Sequence, residues 1–270
     1  MRGSFTGLFE TTRPILGMVH VPALPGTPRH SLSVDQIVRH SIEDGLALKR
    51  GGVHGILIEN MHDVPYLKRV VGHEITAIMS IIAREMHLQT GLPCGVQVLS
   101  GANESALSVA LAGGLDFIRS EGFVYGHLAD EGYIDSDAGT LLRKRKALGA
   151  DHIFILTDVK KKHASHAITG DMDVLETARG AAFFGSDGLI VTGLRTGHPP
   201  DPDLLQSLKG QVDLPVIIGS GISSQNIHRY YDLADAFIVG SWFKKQGHWE
   251  RRVEEDRVRL FMTKVAEIHS

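Results

Sequence analysis

The sequence runs Leu214-Pro215-Val216-Ile217-Ile218-Gly219-Ser220-Gly221-Ile222 and, a short distance later, Asp235-Ala236-Phe237-Ile238-Val239-Gly240-Ser241. Each stretch is a short apolar run, rich in β-branched residues, that stops at a Gly-Ser pair. Such runs are typical of strands buried on both faces, as in a parallel sheet. In (β/α)8 barrels, the turns after strands 7 and 8 form a phosphate site. The two stretches therefore predict such a barrel and an anionic ligand.

The Gly-Ser turns are the predicted phosphate site, because glycine has no Cβ and lets backbone N–H groups approach an anion. A further glycine follows an earlier apolar run at Val191-Thr192-Gly193. The residues predicted to bind phosphate are Gly193, Gly219, Ser220, Gly221, Gly240 and Ser241.

The whole chain can be divided into eight alternations of strand and helix, which predict a single (β/α)8 TIM-barrel domain over residues 1–270. The predicted strands are Ile15–His20, Gly55–Glu59, Gly95–Leu99, Leu115–Arg119, His152–Thr157, Gly188–Thr192, Val216–Gly219 and Ala236–Val239. Apolar stripes at helical spacing separate them, and the first stripe opens with a capping box at Ser33-x-x-Gln36. A doubly wound open sheet is the main alternative, but it does not explain two adjacent Gly-Ser turns.

Composition indicates a soluble, cytoplasmic enzyme. The chain has 270 residues, and its formal net charge of −3 gives no reason to expect a nucleic acid partner. The single cysteine excludes an intrachain disulfide and fits a reducing compartment. No apolar run is long enough for a membrane helix, and the N-terminus lacks a signal peptide, so integral membrane association is not expected. The composition does not fix the oligomeric state, and a homo-oligomer is one option.

Catalytic groups of such a barrel lie at the carboxyl ends of its strands. Polar residues are concentrated there: His20, Glu59 with Asn60, Gln97 with Ser100, Arg119 with Glu121, Asp158 with Lys161, Lys162 and His163, and Thr192. Of these, His20, Glu59, Arg119, Asp158, Lys162 and His163 are the candidate catalytic residues.

Glu59 and Asp158 each end an apolar run, so both carboxylates are expected to be partly desolvated. Three arrangements would accommodate them: sharing a proton, pairing with Arg119 or Lys162, or jointly binding a divalent metal. The first two suit general acid–base chemistry and the third suits activation of water. A structural alternative is that Arg119 only neutralises Glu59. One lysine of Lys160–Lys162, if turned inward, would be a candidate for Schiff-base formation or phosphate binding.

Several longer motifs resemble the BtpA family over roughly residues 13–262. They are Ile15-Leu16-Gly17-Met18-Val19-His20-Val21-Pro22-Ala23-Leu24-Pro25-Gly26-Thr27-Pro28, Glu59-Asn60-Met61-His62-Asp63-Val64-Pro65, Asp158-Val159 with Lys162-His163-Ala164, Val191-Thr192-Gly193 with Thr196-Gly197, and the two Gly-Ser turns. The resemblance implies a phosphate-binding barrel with further site residues at Asn60, Asn103 and Thr192. The chain departs from the family at Gln97-Val98-Leu99-Ser100-Gly101-Ala102-Asn103, which lacks an arginine found there in the family.

What the resemblance implies about activity spans several classes. Some family members are described as nucleosidase-like or nucleotide-acting enzymes, whereas the family name comes from the biogenesis of a photosynthetic membrane complex. Three hypotheses follow: a hydrolase, lyase or isomerase acting on a phosphorylated sugar or nucleoside phosphate, a non-catalytic assembly factor, and a barrel that binds a phosphorylated metabolite without turnover. A divalent metal is an option for the first, and no motif predicts a nicotinamide or flavin cofactor.

Overall fold

A computed structural model of the chain describes residues 3–193 and 197–269. Its strands are β1 (Ile15–His20), β2 (Gly55–Glu59), β3 (Cys94–Gln97), β4 (Phe117–Ser120), β5 (His127–Ala129), β6 (Gly132–Ile134), β7 (Phe154–Val159), β8 (Ala164–Ser165), β9 (Gly188–Val191), β10 (Val216–Ile218) and β11 (Ala236–Val239). Eight of them form a closed parallel barrel in the order β1-β11-β10-β9-β7-β4-β3-β2. The predicted TIM barrel is confirmed, with the bounds of three barrel strands as predicted and those of the other five shifted by one or two residues. Thr196 of the family motif lies outside the described residues.

The helices cover the outside of the barrel. They are α1 (Val34–Gly51), α2 (His73–Thr90), α3 (Asn103–Gly113), α4 (Ala138–Ala147), α5 (Val174–Phe183), α6 (Pro202–Leu208), α7 (Ile227–Tyr230) and α8 (Glu255–His269). The predicted capping box opens α1, where Ser33 Oγ accepts from the Gln36 amide and Gln36 Oε1 accepts from the Ser33 amide. The short helix α7 starts at Ile227, after a turn in which Asn226 Oδ1 accepts a hydrogen bond from the Ser223 amide. Within the described residues, no helix has the length and apolar character needed to cross a membrane.

The barrel interior is filled and closed at its amino-terminal end. Alternate strand residues point inward and form one apolar cluster, which includes Leu16, Met18, Leu57, Phe117, Phe154, Leu156, Ile190, Ile217 and Ile238. Phe5, which precedes the first strand, inserts into this cluster and makes edge-to-face contacts with Phe117 and Phe154. Because aromatic rings plug the amino-terminal end, the polar strand ends face an opening only on the carboxyl-terminal side.

Side chains in the turns before four strands fasten the amino-terminal end of the barrel. Asp116, Asp187 and Asp235 each accept a hydrogen bond from the amide of a neighbouring strand, those of Cys94, Ile155 and Val216, at 2.7–2.9 Å. His54 does the same through Nδ1 for the Ile15 amide at 3.0 Å. These side chains satisfy backbone N–H groups of the strands at the closed, amino-terminal end of the barrel, so this end is structural.

A small antiparallel sheet stands beside the carboxyl-terminal opening. The long connection after β4 folds into the hairpin β5–β6, and β8 from the connection after β7 pairs with β5. The hairpin turn carries Asp130 and Glu131 into the wall of the cavity at the barrel mouth. The long connection is therefore an ordered hairpin that narrows the entrance.

Candidate active site

A cavity of about 670 Å³ occupies the carboxyl-terminal end of the barrel. Ten of the predicted site residues line it: His20, Glu59, Arg119, Lys162, His163, Gly219, Ser220, Gly221, Gly240 and Ser241. Five do not: Asn60, Asn103, Asp158, Thr192 and Gly193. The lining residues divide into an ionisable side, from β1 to β7, and a glycine-rich side, from β10 and β11.

Glu59 is a buried carboxylate with no lysine or arginine in direct contact among the described residues. It ends β2, its side chain is 8% exposed, and no described residue donates a hydrogen bond to its carboxylate. Burial raises the pKa of Glu59, and the cations Arg119 and Lys162 only partly oppose this effect. A carboxyl group in this state can exchange a proton with a bound molecule.

His20 lies beside Glu59, and its tautomer follows from its contacts. Nδ1 lies 2.8 Å from the carbonyl oxygen of Trp249, which can only accept, so Nδ1 carries the proton. Nε2 is therefore a lone-pair acceptor, 3.9 Å from Glu59 Oε2. Burial, reinforced by the nearby Lys244 cation, holds the pKa of His20 well below its usual value. The pair is a neutral imidazole next to a carboxyl group of raised pKa.

Arg119 neutralises Asp158 and not Glu59. Its Nε and Nη2 each donate to one Asp158 oxygen at 2.9 Å, in the bidentate geometry of a strong charge-assisted pair. Burial works to lower the pKa of Arg119, but Asp158 outweighs it and raises that pKa. The Asp158 side chain is 1% exposed. The hypothesis that Glu59 and Asp158 act as a matched pair over the mouth is therefore not supported by the geometry.

Two of the three consecutive lysines turn into the cavity and differ in their partners. Lys161 Nζ donates to Glu121 Oε1 at 3.1 Å. Burial works to raise the pKa of Glu121, but Lys161 and Arg119 outweigh it and lower that pKa. Lys162 has no hydrogen-bond or ion-pair partner among the described residues. Burial, with the neighbouring Arg119 cation, lowers the pKa of Lys162. Lys160 points elsewhere and donates to the Thr169 carbonyl.

The glycine-rich side presents backbone amides to the cavity. No described residue accepts a hydrogen bond from the amides of Ser220, Gly221 and Ile222 after β10, or from those of Ser241 and Trp242 after β11. All five residues line the cavity. Unpaired backbone N–H groups that line one cavity suit an anion.

The glycines of these turns are required by packing as well. Gly221 has a φ of +77°, and a Cβ there would overlap the backbone of His198 and Pro199. A Cβ at Gly219 would lie 2.6 Å from Ile190 Cγ2. Gly240 is different, since the nearest atoms to a Cβ there would be side-chain atoms at ordinary contact distances, Met18 Sδ at 3.4 Å and His20 Nε2 at 3.5 Å. Gly240 therefore lies where the glycine-rich side of the cavity meets His20 of the ionisable side.

Arg257 is a cavity residue that the sequence did not reveal. It lies in the first turn of α8, and its Nε donates to the Trp242 carbonyl at 2.7 Å while the guanidinium lies 4.5 Å above the Trp242 ring centroid. Its Nη groups have no acceptor among the described residues. The arginine stands beside the Ser241 turn, where it adds positive charge to the unpaired amides. No local motif marks it, because it comes from a different element sixteen residues later.

Gln97 is a second cavity residue with an unused polar atom. It ends β3, and its Oε1 is buried with no hydrogen-bond donor among the described residues. Since a buried acceptor without a donor is costly, this oxygen is available to a ligand N–H or O–H group.

The remaining predicted residues brace the loops around the cavity. Asn60 Oδ1 accepts from the Leu99 amide, and its Nδ2 donates to Asp63. Asn103 holds the Glu121 backbone and Asp137. The Cγ2 methyl of Thr192 packs at Gly219, and Gly193 lies against the His198 backbone. His163 lies at the exposed rim of the cavity.

An arginine from another segment reaches the loop after β3. Arg69 Nη1 donates to the Gly101 carbonyl at 3.0 Å and to Asp137 at 2.7 Å. The loop that departs from the family pattern is thus held by an arginine supplied from the β2–α2 connection.

The donor set offers little to a resident metal. Within the described parts of the chain, no three His, Cys, Asp or Glu side chains are grouped to hold an ion. Glu59 and Asp158, the predicted metal ligands, differ in that Asp158 is fully engaged by Arg119.

A closed (β/α)8 barrel with a cavity at its carboxyl end and glycine-rich turns after the last two strands places the chain among the TIM barrels. The sequence model of the BtpA family matches residues 11–267. The chain belongs to the BtpA family.

Two relatives illustrate the similarity. An uncharacterized mitochondrial protein of Caenorhabditis elegans is 44% identical over 266 residues, which cover 96% of this chain and 95% of that protein. The photosystem I biogenesis protein BtpA of Synechocystis is 33% identical over 263 residues, covering 96% and 90% of the two chains.

Solved structures share the fold. Phosphoribosyl anthranilate isomerase from Thermus thermophilus has a TM-score of 0.59 and 13% identity, over 94% of this chain and 99% of that one. Thiamine phosphate pyrophosphorylase from Pyrococcus furiosus has a TM-score of 0.58 and 14% identity, over 96% and 98%. At this identity the likeness concerns the fold alone.

Proposed function

We propose that the protein is an enzyme that acts on a small phosphorylated substrate, a sugar phosphate or nucleoside phosphate, by general acid–base chemistry centred on Glu59. The observation that carries the proposal is that two complementary features line one cavity. One side holds a buried carboxyl group of raised pKa with no hydrogen-bond donor, and the other side holds unpaired amides beside an arginine. A substrate with a phosphate group and a reacting carbon would span them.

The phosphate end is supported by its chemistry. The amides of Ser220, Gly221, Ser241 and Trp242 supply donors of fixed direction, and Arg257 supplies charge. Such groups favour a doubly charged oxyanion over a neutral group. The names of the two barrels of the same fold, an isomerase of a phosphoribosyl compound and a thiamine phosphate pyrophosphorylase, both contain a phosphate compound.

The proton-transfer properties of Glu59 and His20 support the assignment of the reacting end of the substrate to their side of the cavity. Glu59 in its neutral form can protonate a leaving oxygen or nitrogen, and in its anionic form it can accept a proton from water or from carbon. His20 Nε2 is an acceptor that can orient the incoming group. Hydrolysis of a glycosidic bond in a nucleoside-type substrate needs protonation of the leaving base and activation of water, so the arrangement suits a nucleosidase-like hydrolase.

The first experiment measures binding. Thermal unfolding is followed with inorganic phosphate, ribose 5-phosphate and nucleoside monophosphates, each against its unphosphorylated counterpart, with and without Mg²⁺. We expect stabilisation by the phosphorylated members only. Equal shifts with ribose and ribose 5-phosphate would contradict the phosphate assignment, and stabilisation that needs Mg²⁺ would favour the metal-assisted mechanism.

The second experiment measures turnover of the ligands that bind, by NMR, with the parent and with Glu59→Gln. We expect the variant to bind with similar affinity and to lose turnover by about 10²–10⁴-fold, the usual contribution of a general acid or base. Binding without turnover in the parent would favour a metabolite-binding barrel. The assembly role in the name of the Synechocystis relative is a separate hypothesis, and it predicts that ligand-site variants remain active in assembly.

A further inference from the structure

The side chain of Lys162 lines the cavity without a polar partner among the described residues. It follows β7 at the barrel mouth, lines the cavity, and has neither a hydrogen bond nor an ion pair with any described residue. The neighbouring lysines are accounted for, because Lys161 pairs with Glu121 and Lys160 donates to the Thr169 carbonyl. Lys162 is half-buried, and a half-buried ammonium group without a partner is unfavourable, so its retention calls for a chemical reason.

We infer that Lys162 is a nucleophile that forms a Schiff base with a carbonyl group of the substrate, which makes the substrate class an aldehyde or ketone phosphate. The inference rests on the proposed function and narrows it, since an open-chain sugar phosphate carries both groups.

Two features of the surroundings, burial and a neighbouring cation, favour the neutral amine that this chemistry requires. Burial removes water from the ammonium form, and the guanidinium of Arg119 adds like-charge repulsion; both lower the pKa of Lys162. The carboxylates of Glu59, Asp158 and Glu121 only partly oppose this lowering. Asp158 is engaged by both donors of Arg119. Glu121 is held by Lys161 and Ser100. Lowering a lysine pKa by burial and a neighbouring cation is an established way to activate it.

Glu59 can supply the proton transfers that the reaction needs. It faces the same cavity and interacts electrostatically with Lys162. The neutral amine adds to the carbonyl carbon, so a C–N bond forms and the carbonyl oxygen takes a proton from Glu59. The nitrogen then returns a proton to Glu59. In the second step Glu59 protonates the hydroxyl, the C–O bond breaks, and water leaves as the nitrogen lone pair forms the iminium. No oxidant or reductant is consumed.

The first test uses the simplest carbonyl probe, formaldehyde with a borane reductant, on the full-length protein. Cleavage before aspartate yields a peptide over residues 158–170 that contains all three lysines, and fragmentation assigns the methyl groups. At pH 7 we expect Lys162 to be methylated faster than Lys161 and Lys160, by about tenfold for each unit of pKa difference. Equal or slower labelling of Lys162 would overturn the inference, because the amine would then not be activated.

The second test uses dihydroxyacetone phosphate, glyceraldehyde 3-phosphate and ribose 5-phosphate with cyanoborohydride, each against its unphosphorylated form. We expect a saturable adduct on Lys162, suppressed by inorganic phosphate, absent in Lys162→Arg and retained in the matched control Lys160→Arg. Adducts spread over surface lysines, or none with any probe, would overturn the inference.

The two proposals fail in distinguishable ways. If phosphate compounds stabilise the fold but no adduct forms, the phosphate site stands and the Schiff base does not. If Lys162 forms an adduct that inorganic phosphate does not suppress, the amine is a nucleophile but the proposed phosphate site is wrong.

Discussion

Arg119 and Asp158 form a buried fork-to-fork pair, with two N–H groups of the guanidinium 2.9 Å from the two carboxylate oxygens. Because both side chains come from adjacent barrel strands, β4 and β7, the pair also ties the ionisable side of the cavity to the barrel. Its consequence is an asymmetry between two carboxylates that the sequence presents alike. Asp158 is neutralised, whereas Glu59 has no lysine or arginine in direct contact.

The first prediction tests the structural role of the pair. Asp158→Asn removes the counter-charge and leaves a buried guanidinium, so we expect a loss of about 3–5 kcal/mol in the free energy of unfolding. Urea denaturation measures it. The double variant Arg119→Met/Asp158→Leu, which buries no charge, should lose less than Asp158→Asn. A loss in Asp158→Asn below 1 kcal/mol would show that the pair is not the stabilising unit described above.

Glu59→Gln should stabilise the protein at high pH, in contrast to the loss of stability expected for Asp158→Asn. Since burial raises the pKa of Glu59 above its reference value of 4.5, the folded state binds a proton more tightly than the unfolded state. Stability contributed by the protonated form is therefore full below about pH 4.5 and declines as the pH rises through the folded pKa. Glutamine does not titrate, so we expect the variant to unfold at a higher temperature than the parent at pH 8 and at a similar temperature at pH 4.

Calorimetry at a series of pH values measures this difference. Glu104→Gln is the matched control, because Glu104 has an exposed carboxylate paired with Lys144. A Glu59→Gln variant that is less stable than the parent at pH 8 would mean that the carboxylate is held by favourable contacts.

The sequence predicts the barrel because apolar runs, glycine turns and helical stripes are local signals. It also places Glu59, His20 and the Gly-Ser turns correctly at the cavity, since the carboxyl ends of all eight strands meet at one end of the ring. It cannot decide which carboxylate Arg119 neutralises, because that depends on side-chain directions across neighbouring strands. The sequence also gives no signal for the positions of Arg257 and Phe5. Arg257 reaches the cavity from the last helix, and Phe5 reaches the barrel interior from the N-terminal segment.

Arg257→Gln should weaken phosphate binding without changing the fold. The substitution removes a guanidinium beside the Ser241 turn, and the loss of a charge-assisted partner costs about 2–3 kcal/mol, or roughly 30- to 150-fold in affinity. Titration with inorganic phosphate or ribose 5-phosphate measures the change. Arg259→Gln is the control, because Arg259 lies on the same helix but pairs with Glu255 on the surface. Equal losses in the two variants would point to general electrostatics.

His20 should remain neutral throughout the physiological range. Burial, with the Lys244 cation nearby, holds its pKa well below 6.5, and the Trp249 carbonyl fixes the proton on Nδ1. We expect the ¹⁵N and ¹³C ring resonances of His20 to show the Nδ1–H tautomer and no titration between pH 6 and 8. The exposed His30 provides a reference signal in the same spectra. A midpoint for His20 inside that interval would mean that the imidazole is protonated on Nε2 toward Glu59.

Two alanine substitutions should separate packing from function in the glycine turns. Gly221→Ala places a Cβ into the His198–Pro199 backbone at a φ of +77°, so we expect strong destabilisation or failure to fold. Gly240→Ala meets only side-chain atoms, Met18 Sδ at 3.4 Å and His20 Nε2 at 3.5 Å, so the protein should fold with a change in unfolding free energy below about 1 kcal/mol. Because the new methyl group stands between the phosphate turn and His20, ligands that span both sides should bind more weakly, whereas inorganic phosphate, which occupies only one side, should bind as before. Calorimetric titration of Gly240→Ala with phosphate and with ribose 5-phosphate distinguishes these outcomes. If both ligands bind with unchanged affinity, the substrate does not pass Gly240, and a substrate that reaches from the glycine turns past His20 to Glu59 is ruled out.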